Sequence, residues 1–273
     1  MSNVSKTPLP EYRPRCLGGL NDLLGRSDAT VEWIEVAVRH LKQVNDNEGT
    51  SKACELAAWH GIKVNLIDFN DLPVQWASLQ VLSVYQKLEW FLLEFRDEHP
   101  RKVRSKNKGE DPLAYTLNAY NVSKQNVGVL EYEILDYYRL VRNHIMHKPT
   151  EQQAKKHISQ CESINERTAN SVYAKLDAPC MLTTLGFDDF ILFSRALKNF
   201  ARSLCAATCP TAQEFAALLE VDVPLRRALR RVNQNPERVQ KKLASYLRRY
   251  YGLPSCADDL SAAILRLCPL AQR

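Results

Sequence analysis

The stretch VQWASLQVLSVYQKLEWFLLEFRDE, residues 74–98, has the clearest periodicity in the first half of the chain. Its apolar side chains recur every three or four residues, which places them on one face of an α-helix. The face is formed by Val81, Tyr85, Leu88, Leu92 and Phe95. The pattern predicts a long amphipathic helix, and no convincing pair of strands stands beside it anywhere in the sequence.

Further helices are predicted on both sides of this stretch. Towards the N-terminus, one begins at Ser27 and Asp28, which can cap it, and a shorter one through residues 51–60 stops at Gly61. Towards the C-terminus, one begins near Gln125 and is closed by Pro149. Other helices are predicted over residues 151–176, 187–206, 211–221, 224–233, 236–251 and 258–268. The fold class is therefore all-α.

The remaining segments suggest how the chain is divided. Residues 1–26, rich in Pro and Gly, are predicted to be an irregular leader, and residues 99–112 a mobile basic loop. Residues 27–206 are interpreted as a long-helix bundle and residues 210–273 as a basic helical extension. No apolar run approaches the roughly 20 residues that span a bilayer, and the N-terminus lacks an apolar signal core. The sequence thus predicts a cytoplasmic protein with no membrane partner.

Cysteine usage argues against a disulfide framework and against a metal. The chain has eight cysteines in 273 residues and no export signal, so reduced thiols are expected. Cys205 and Cys209 lie one helical turn apart, without the paired short spacing of a zinc ribbon. Buried thiols acting as small hydrophobic groups are the preferred interpretation, and no metal or cofactor is predicted.

The net charge of +6 is unevenly distributed. Residues 226–249 contain nine Lys or Arg and one acid, Glu237. Such a segment can follow the phosphates of an acidic polymer such as RNA. Ordinary solvated helix faces explain it equally well. The candidate RNA-binding residues are Arg230, Arg231, Lys241, Lys242, Arg248 and Arg249.

A second decisive stretch is RLVRNHIMHKP, residues 139–149, at the end of a predicted helix. It holds two overlapping Arg-x4-His spacings, and only Arg142 is followed directly by an asparagine, Asn143. Cations at a helix C-terminus interact well with the helix dipole, which is the plain structural explanation. A metal site at His144 and His147 is a poor interpretation, because no acidic or cysteine ligand lies at a matching offset.

The motif Arg142-Asn143-x-x-x-His147, on a long helix of an all-α chain, resembles the signature of the HEPN superfamily. The amphipathic helix containing KLEWFLLEF is similar to the first long helix of several HEPN groups, and the resemblance covers about residues 75–206. It implies a helical bundle that forms a homodimer and cuts RNA without a metal. It also implies a role as a toxin or phage-defence effector, with an antitoxin or defence-system partner.

By this resemblance, Arg142 and His147 form the catalytic pair and Asn143 supports them. Histidine exchanges protons near neutral pH, and a guanidinium can brace phosphate oxygens. The expected products carry 2′,3′-cyclic phosphate and 5′-hydroxyl ends. Five residues at 3.6 per turn put Arg142 and His147 about 140° apart on a helix. Either the helix loosens before His147, or two chains face each other and form a composite site. The second arrangement matches the composite dimer site of the HEPN superfamily, so a homodimer is favoured.

Two further residues are assigned supporting places, Glu89 and His144. Glu89 lies on the partly apolar face of its helix and could pair with Arg142, although an edge position in water explains it slightly better. His157 is interpreted as a surface residue. In some HEPN members a tyrosine two residues after the histidine is modified by a partner nucleotidyltransferase, and here that position is Pro149. The competing hypothesis is a non-catalytic helical module that binds RNA, a nucleotide or a protein.

Overall fold

The computed structural model describes residues 12–63, 68–104, 107, 109–147, 150–221, 236–252 and 261–265. These residues form helices and no strand, which confirms the all-α class. The helices are α1 (Arg15–Glu48), α2 (Thr50–Trp59), α3 (Leu72–Glu98), α4 (Pro112–Tyr120), α5 (Lys124–Val127), α6 (Val129–Met146), α7 (Glu151–Thr168), α8 (Phe187–Ala207), α9 (Ala212–Val221) and α10 (Pro236–Tyr251). A short 3-10 helix, Leu182–Thr184, precedes α8.

The chain divides into two compact units, each built from segments that are distant in sequence. The central unit contains Leu20–Glu89 and Gly128–Phe200. The terminal unit contains Met1–Gly19, Trp90–Val127 and Ala201–Arg273. The contacts thus cluster differently from a simple order of leader, bundle and extension, and the division of the sequence at residues 27–206 and 210–273 stays a prediction.

The apolar faces of two long helices, α3 and α8, are buried. On α3, the side chains of Val81, Tyr85, Leu88, Leu92 and Phe95 are all buried. On α8 the same is true of Phe190, Phe193, Leu197 and Phe200. Removing these large apolar side chains from water is the main stabilising term available to an all-helical fold.

Within the terminal unit, His99 forms the centre of an aromatic cluster. Its Nδ1 accepts a hydrogen bond from the backbone N–H of Arg101 at 3.0 Å, and its Nε2 lies 2.9 Å from the carbonyl of Thr208. The ring of Tyr120 stands edge-on at 4.7 Å. These two hydrogen bonds require the neutral tautomer that is protonated at Nε2, and burial lowers the pKa of His99.

The irregular leader predicted for residues 1–26 is wrong from Arg15 onward, where α1 begins. The glycines in this segment favour irregular structure, but Leu17, Leu20 and Leu24 are buried, and their packing stabilises the first turns of α1. Gly19 has a packing reason to lack a side chain. A Cβ atom there would lie 2.9 Å from the ring of Trp90.

Helix α4 was not expected from the sequence, although its start is well marked. Asp111 caps it by accepting hydrogen bonds from the backbone N–H groups of Leu113 and Ala114, and Pro112 occupies its first turn. The predicted helix over 151–176 ends earlier, at Thr168. Within the predicted basic loop, the described residues before Pro112 form neither helix nor strand.

Other expectations from the sequence are met at single elements. Helix α10 covers the predicted range 236–251, and α2 ends just before Gly61, which adopts a positive φ of 73°. The segment 224–233 and the candidate residues Arg230 and Arg231 lie outside the described residues. In the described part of the chain, none of the helices combines the length and the apolar character that crossing a bilayer demands.

Candidate active site at the end of helix α6

Helix α6 in the central unit carries the Arg-Asn-x-x-x-His set and ends within it. The last helical residue is Met146, and His147 adopts an extended backbone with φ −142° and ψ 138°. The N–H of His147 still donates to the carbonyl of Asn143 at 2.8 Å. The helix therefore ends before His147, whose backbone no longer follows the helical repeat. This is the first of the two arrangements expected from the sequence.

The guanidinium of Arg142 is half-buried and held by two neighbours. Its Nη1 donates to Oδ1 of Asn143 at 3.1 Å. Its Cζ lies 5.4 Å from the centre of the Tyr85 ring, which belongs to α3. A cation over an aromatic face is attracted by the negative face of the ring. The adjacent asparagine and the tyrosine thus fix the guanidinium without neutralising its charge.

Glu89 occupies an edge position in water, the alternative that the sequence slightly favoured over a pairing with Arg142. Its side chain is exposed, and no ion pair between Glu89 and Arg142 exists among the described residues. Tyr85, one helical turn earlier on α3, contacts the guanidinium instead. The carboxylate therefore remains in water, where its charge is solvated at no cost, rather than entering a half-buried contact.

His147 differs from His144 in its surroundings. The side chain of His147 is exposed, as is that of the adjacent Met146. His144 is buried, and its ring stands nearly perpendicular to the ring of His157 at a distance of 5.0 Å. Burial lowers the pKa of His144 and so favours the neutral ring. His144 is therefore a packed interior ring, while the side chain of His147 is open to solvent.

The interpretation of His157 as a surface residue is wrong. His157 on α7 is only 4% exposed, and its ring stacks on that of Tyr137 with centroids 4.8 Å apart. Burial and the nearby His144 lower its pKa to about 4. The polar composition of α7 hid a buried stripe, formed by His157, Cys161, Ile164 and Thr168.

A buried carboxylate behind α6, which the sequence reasoning missed, anchors the helix. Asp189 on α8 accepts the hydroxyl of Tyr138 at 2.8 Å. It also accepts the backbone N–H groups of Cys180 and Gly186, each at 2.9 Å. Desolvation raises the pKa of Asp189, and these three donors compensate its burial. The signal in the sequence was an acidic pair, Asp188 and Asp189, inside the otherwise apolar start of α8.

The other candidate residues belong to the terminal unit. Lys241, Lys242, Arg248 and Arg249 are exposed on α10. Tyr251, at the end of α10, is buried against Phe215 with ring centroids 4.9 Å apart. The six cysteines with described surroundings are free thiols, and Cys16, Cys161 and Cys205 are buried.

The described residues contain no group of three or more His, Cys, Asp or Glu side chains arranged to hold a metal ion. Among known proteins, no family model, curated protein or solved structure matches this chain.

Proposed function

We propose that this protein is a metal-independent endoribonuclease of the HEPN type. The observation that carries the proposal is the end of α6. There, a charged guanidinium is held half-buried by Asn143 and Tyr85, and the exposed His147 follows directly after the last helical residue. A fixed cation and an accessible imidazole at the end of one helix supply two functions that cleavage of RNA uses, charge stabilisation and one proton transfer.

The chemistry uses the nucleophile that RNA itself provides. The 2′-oxygen attacks the adjacent phosphorus and the bond from phosphorus to the 5′-oxygen breaks. A base takes the proton of the 2′-hydroxyl and an acid gives a proton to the departing 5′-oxygen. The products are a 2′,3′-cyclic phosphate and a 5′-hydroxyl. His147 transfers a proton, and the fork of Arg142 stabilises the charge that builds on the phosphoryl oxygens.

One exposed histidine serves one proton transfer at a time, so a second group is needed for the other. A homodimer in which two α6 ends share one composite site supplies it, because each copy then contributes one Arg142 and one His147. In this proposal the protein is a cytoplasmic toxin or phage-defence effector. Its substrate is RNA, and an antitoxin or another component of the defence system restrains it.

The test is cleavage of total RNA and transfer RNA by the purified protein with a chelator present, followed by mapping of the product ends. His147→Ala and Arg142→Ala should each abolish cleavage. His40→Ala, which changes an exposed histidine on α1, is the matched control and should leave cleavage intact.

Cleavage that survives the loss of His147 or Arg142 contradicts the proposal, as does cleavage that stops when the chelator is added. Binding of RNA without any cyclic-phosphate product would instead favour a non-catalytic helical RNA-binding module.

A further inference from the structure

The exposed side of α10 is strongly basic. Five of its seven exposed residues are Lys or Arg, and the other two are Glu237 and Ser245. The opposite side is buried in the terminal unit through Val239, Leu243, Leu247 and Tyr251. Because the core already occupies the apolar side, α10 presents little except positive charge to a partner.

Several bases on this helix pair with no acidic side chain that the structure describes, in contrast to bases elsewhere in the fold. Arg39 pairs with Glu35 at 2.8 Å, and Lys52 pairs with Glu55 at 3.2 Å. In contrast, Lys241, Lys242 and Arg249 form no ion pair with any residue whose placement is described. Neighbouring like charges without a counterion raise the local potential and favour the binding of an anion.

A second arginine is brought to the end of α10 from the start of α1. The N–H of Arg13 donates to the carbonyl of Tyr251 at 3.0 Å, which fixes the N-terminal segment there. The Cζ of Arg15 then lies 4.3 Å from the centre of the Tyr250 ring, and the Cζ of Arg249 lies 5.5 Å from the same centre. One tyrosine ring thus gathers two guanidinium groups, and both side chains are exposed.

We propose that this surface binds the sugar-phosphate backbone of single-stranded RNA, with Arg15 and Arg249 on Tyr250 acting as a phosphate clamp. The phosphate face is defined as Arg15, Lys241, Lys242, Arg248 and Arg249. Guanidinium forks match two phosphate oxygens, and lysines act as point charges along a strand. The face lies in the terminal unit and is separate from the residues of the proposed cleavage site.

The chemistry of the face also selects against other partners. It exposes no side-chain amide, since Gln240 is half-buried, and the ring of Tyr250 holds Arg15 and Arg249, so we expect contacts with phosphates to outweigh the reading of base edges. A membrane surface is a poor fit, because the apolar side of α10 is buried and nothing remains to insert. Tyr250 is already contacted by guanidinium groups, which makes the ring a positioning element rather than a platform for bases.

The salt dependence of binding follows from the number of phosphates contacted. For single strands the slope of log K against log salt is about −0.7 for each phosphate. Five contacts give a slope of about −3.5, so Kd should rise about 130-fold between 50 and 200 mM salt. Removing the two clamp arginines leaves three contacts, and the rise should fall to about 18-fold.

The experiment measures binding of a fluorescein-labelled, mixed-sequence RNA of about 20 nucleotides to the full chain carrying His147→Ala, which prevents cleavage during the titration. The clamp variant is Arg15→Gln with Arg249→Gln. The matched control is Arg39→Gln with Lys52→Gln, which removes the same charge from two bases that already have acidic partners. The control should keep the parent slope, and Lys at both clamp positions should restore it.

If circular dichroism shows that the clamp variant is unfolded, Lys241→Gln with Lys242→Gln replaces it, with the same expected reduction in slope. The proposal is overturned if parent binding does not depend on salt, or if the clamp variant and the matched control have the same slope. It is also overturned if phosphatidylserine vesicles or polyglutamate bind the face while RNA does not. A chain that binds RNA in this way but never cleaves it would refute the proposed nuclease and leave the phosphate face standing.

Discussion

The buried ring of His157 should make the stability of the central unit depend on pH. Its pKa in the folded chain is lowered to about 4, against 6.5 for an exposed histidine. Between these values the unfolded chain binds a proton that the folded chain does not, so the free energy of unfolding rises with pH. The stabilising contribution of His157 is therefore fully present above pH 6.5 and is lost as the pH falls towards 4.

The size of the effect follows from the two pKa values. A shift of one unit corresponds to about 1.4 kcal/mol, so the complete contribution is about 3 kcal/mol. Between pH 7 and pH 5 the loss is about 2 kcal/mol, because the unfolded histidine is then almost fully protonated and the folded one is not. His157→Phe should remove this loss. The phenyl ring can still stack on Tyr137, and the Nε2 that disappears has no hydrogen-bond partner in the described part of the chain.

The assay is urea unfolding followed by far-ultraviolet circular dichroism at pH 7, 6 and 5, for the wild type, His157→Phe and the control His40→Phe, which changes an exposed ring. The difference in unfolding free energy between wild type and His157→Phe should change by about 2 kcal/mol across this range, because groups common to both chains cancel. A difference that stays constant within about 0.5 kcal/mol would refute the burial of a neutral His157.

Three further changes test other contacts. Tyr85→Ala should lower the cleavage rate about tenfold, because the guanidinium of Arg142 loses the ring that holds it. Tyr85→Phe keeps the ring and should keep kcat. Equal rates for the two variants would argue against the contact. Gly252→Ala should lower the free energy of unfolding by about 2 kcal/mol or more in urea titrations, because φ is +56° and a Cβ atom would lie 2.6 Å from the carbonyl oxygen of Arg13. Asp189→Ala should cost about 3 kcal/mol in the same measurement, since it leaves one buried and two part-buried donors without an acceptor. Tyr138→Phe should cost only about 1 kcal/mol, since it removes one donor.

Periodicity predicted most of the helices because it reports directly on burial. The apolar faces of α3 and α8 and the full extent of α10 could be predicted in this way. Gly18 and Gly19 concealed the start of α1, since glycine lowers helix propensity by about 1 kcal/mol and only tertiary packing shows why it is tolerated there. The start of α4 is marked by a capping residue, Asp111, and a first-turn proline, Pro112. Apolar periodicity alone does not take such residues into account, so this helix was not predicted.

The candidate site was predictable in its residue types and not in its contacts. Spacing identified Arg142, Asn143 and His147, and it also raised the release of His147 from the helix. The contact of Tyr85 with Arg142 depends on how α3 and α6 pack against each other within the central unit. Local sequence patterns carry no information about that packing. His157 was misjudged for a related reason. A histidine is equally compatible with water and with a stacked interior, and only its neighbours decide between them.

The interleaving of the two units has a consequence for synthesis on the ribosome. All segments of the central unit have been made once Phe200 is added, whereas Tyr12 and Arg13 gain their contacts with Tyr251 only after that residue is made. At about 5 to 20 residues per second, that wait lasts about 3 to 10 s. The nascent chain therefore completes its middle first and closes its two ends last, and during that interval the side of the Tyr12 ring that later stacks on Tyr251 is open to chaperones.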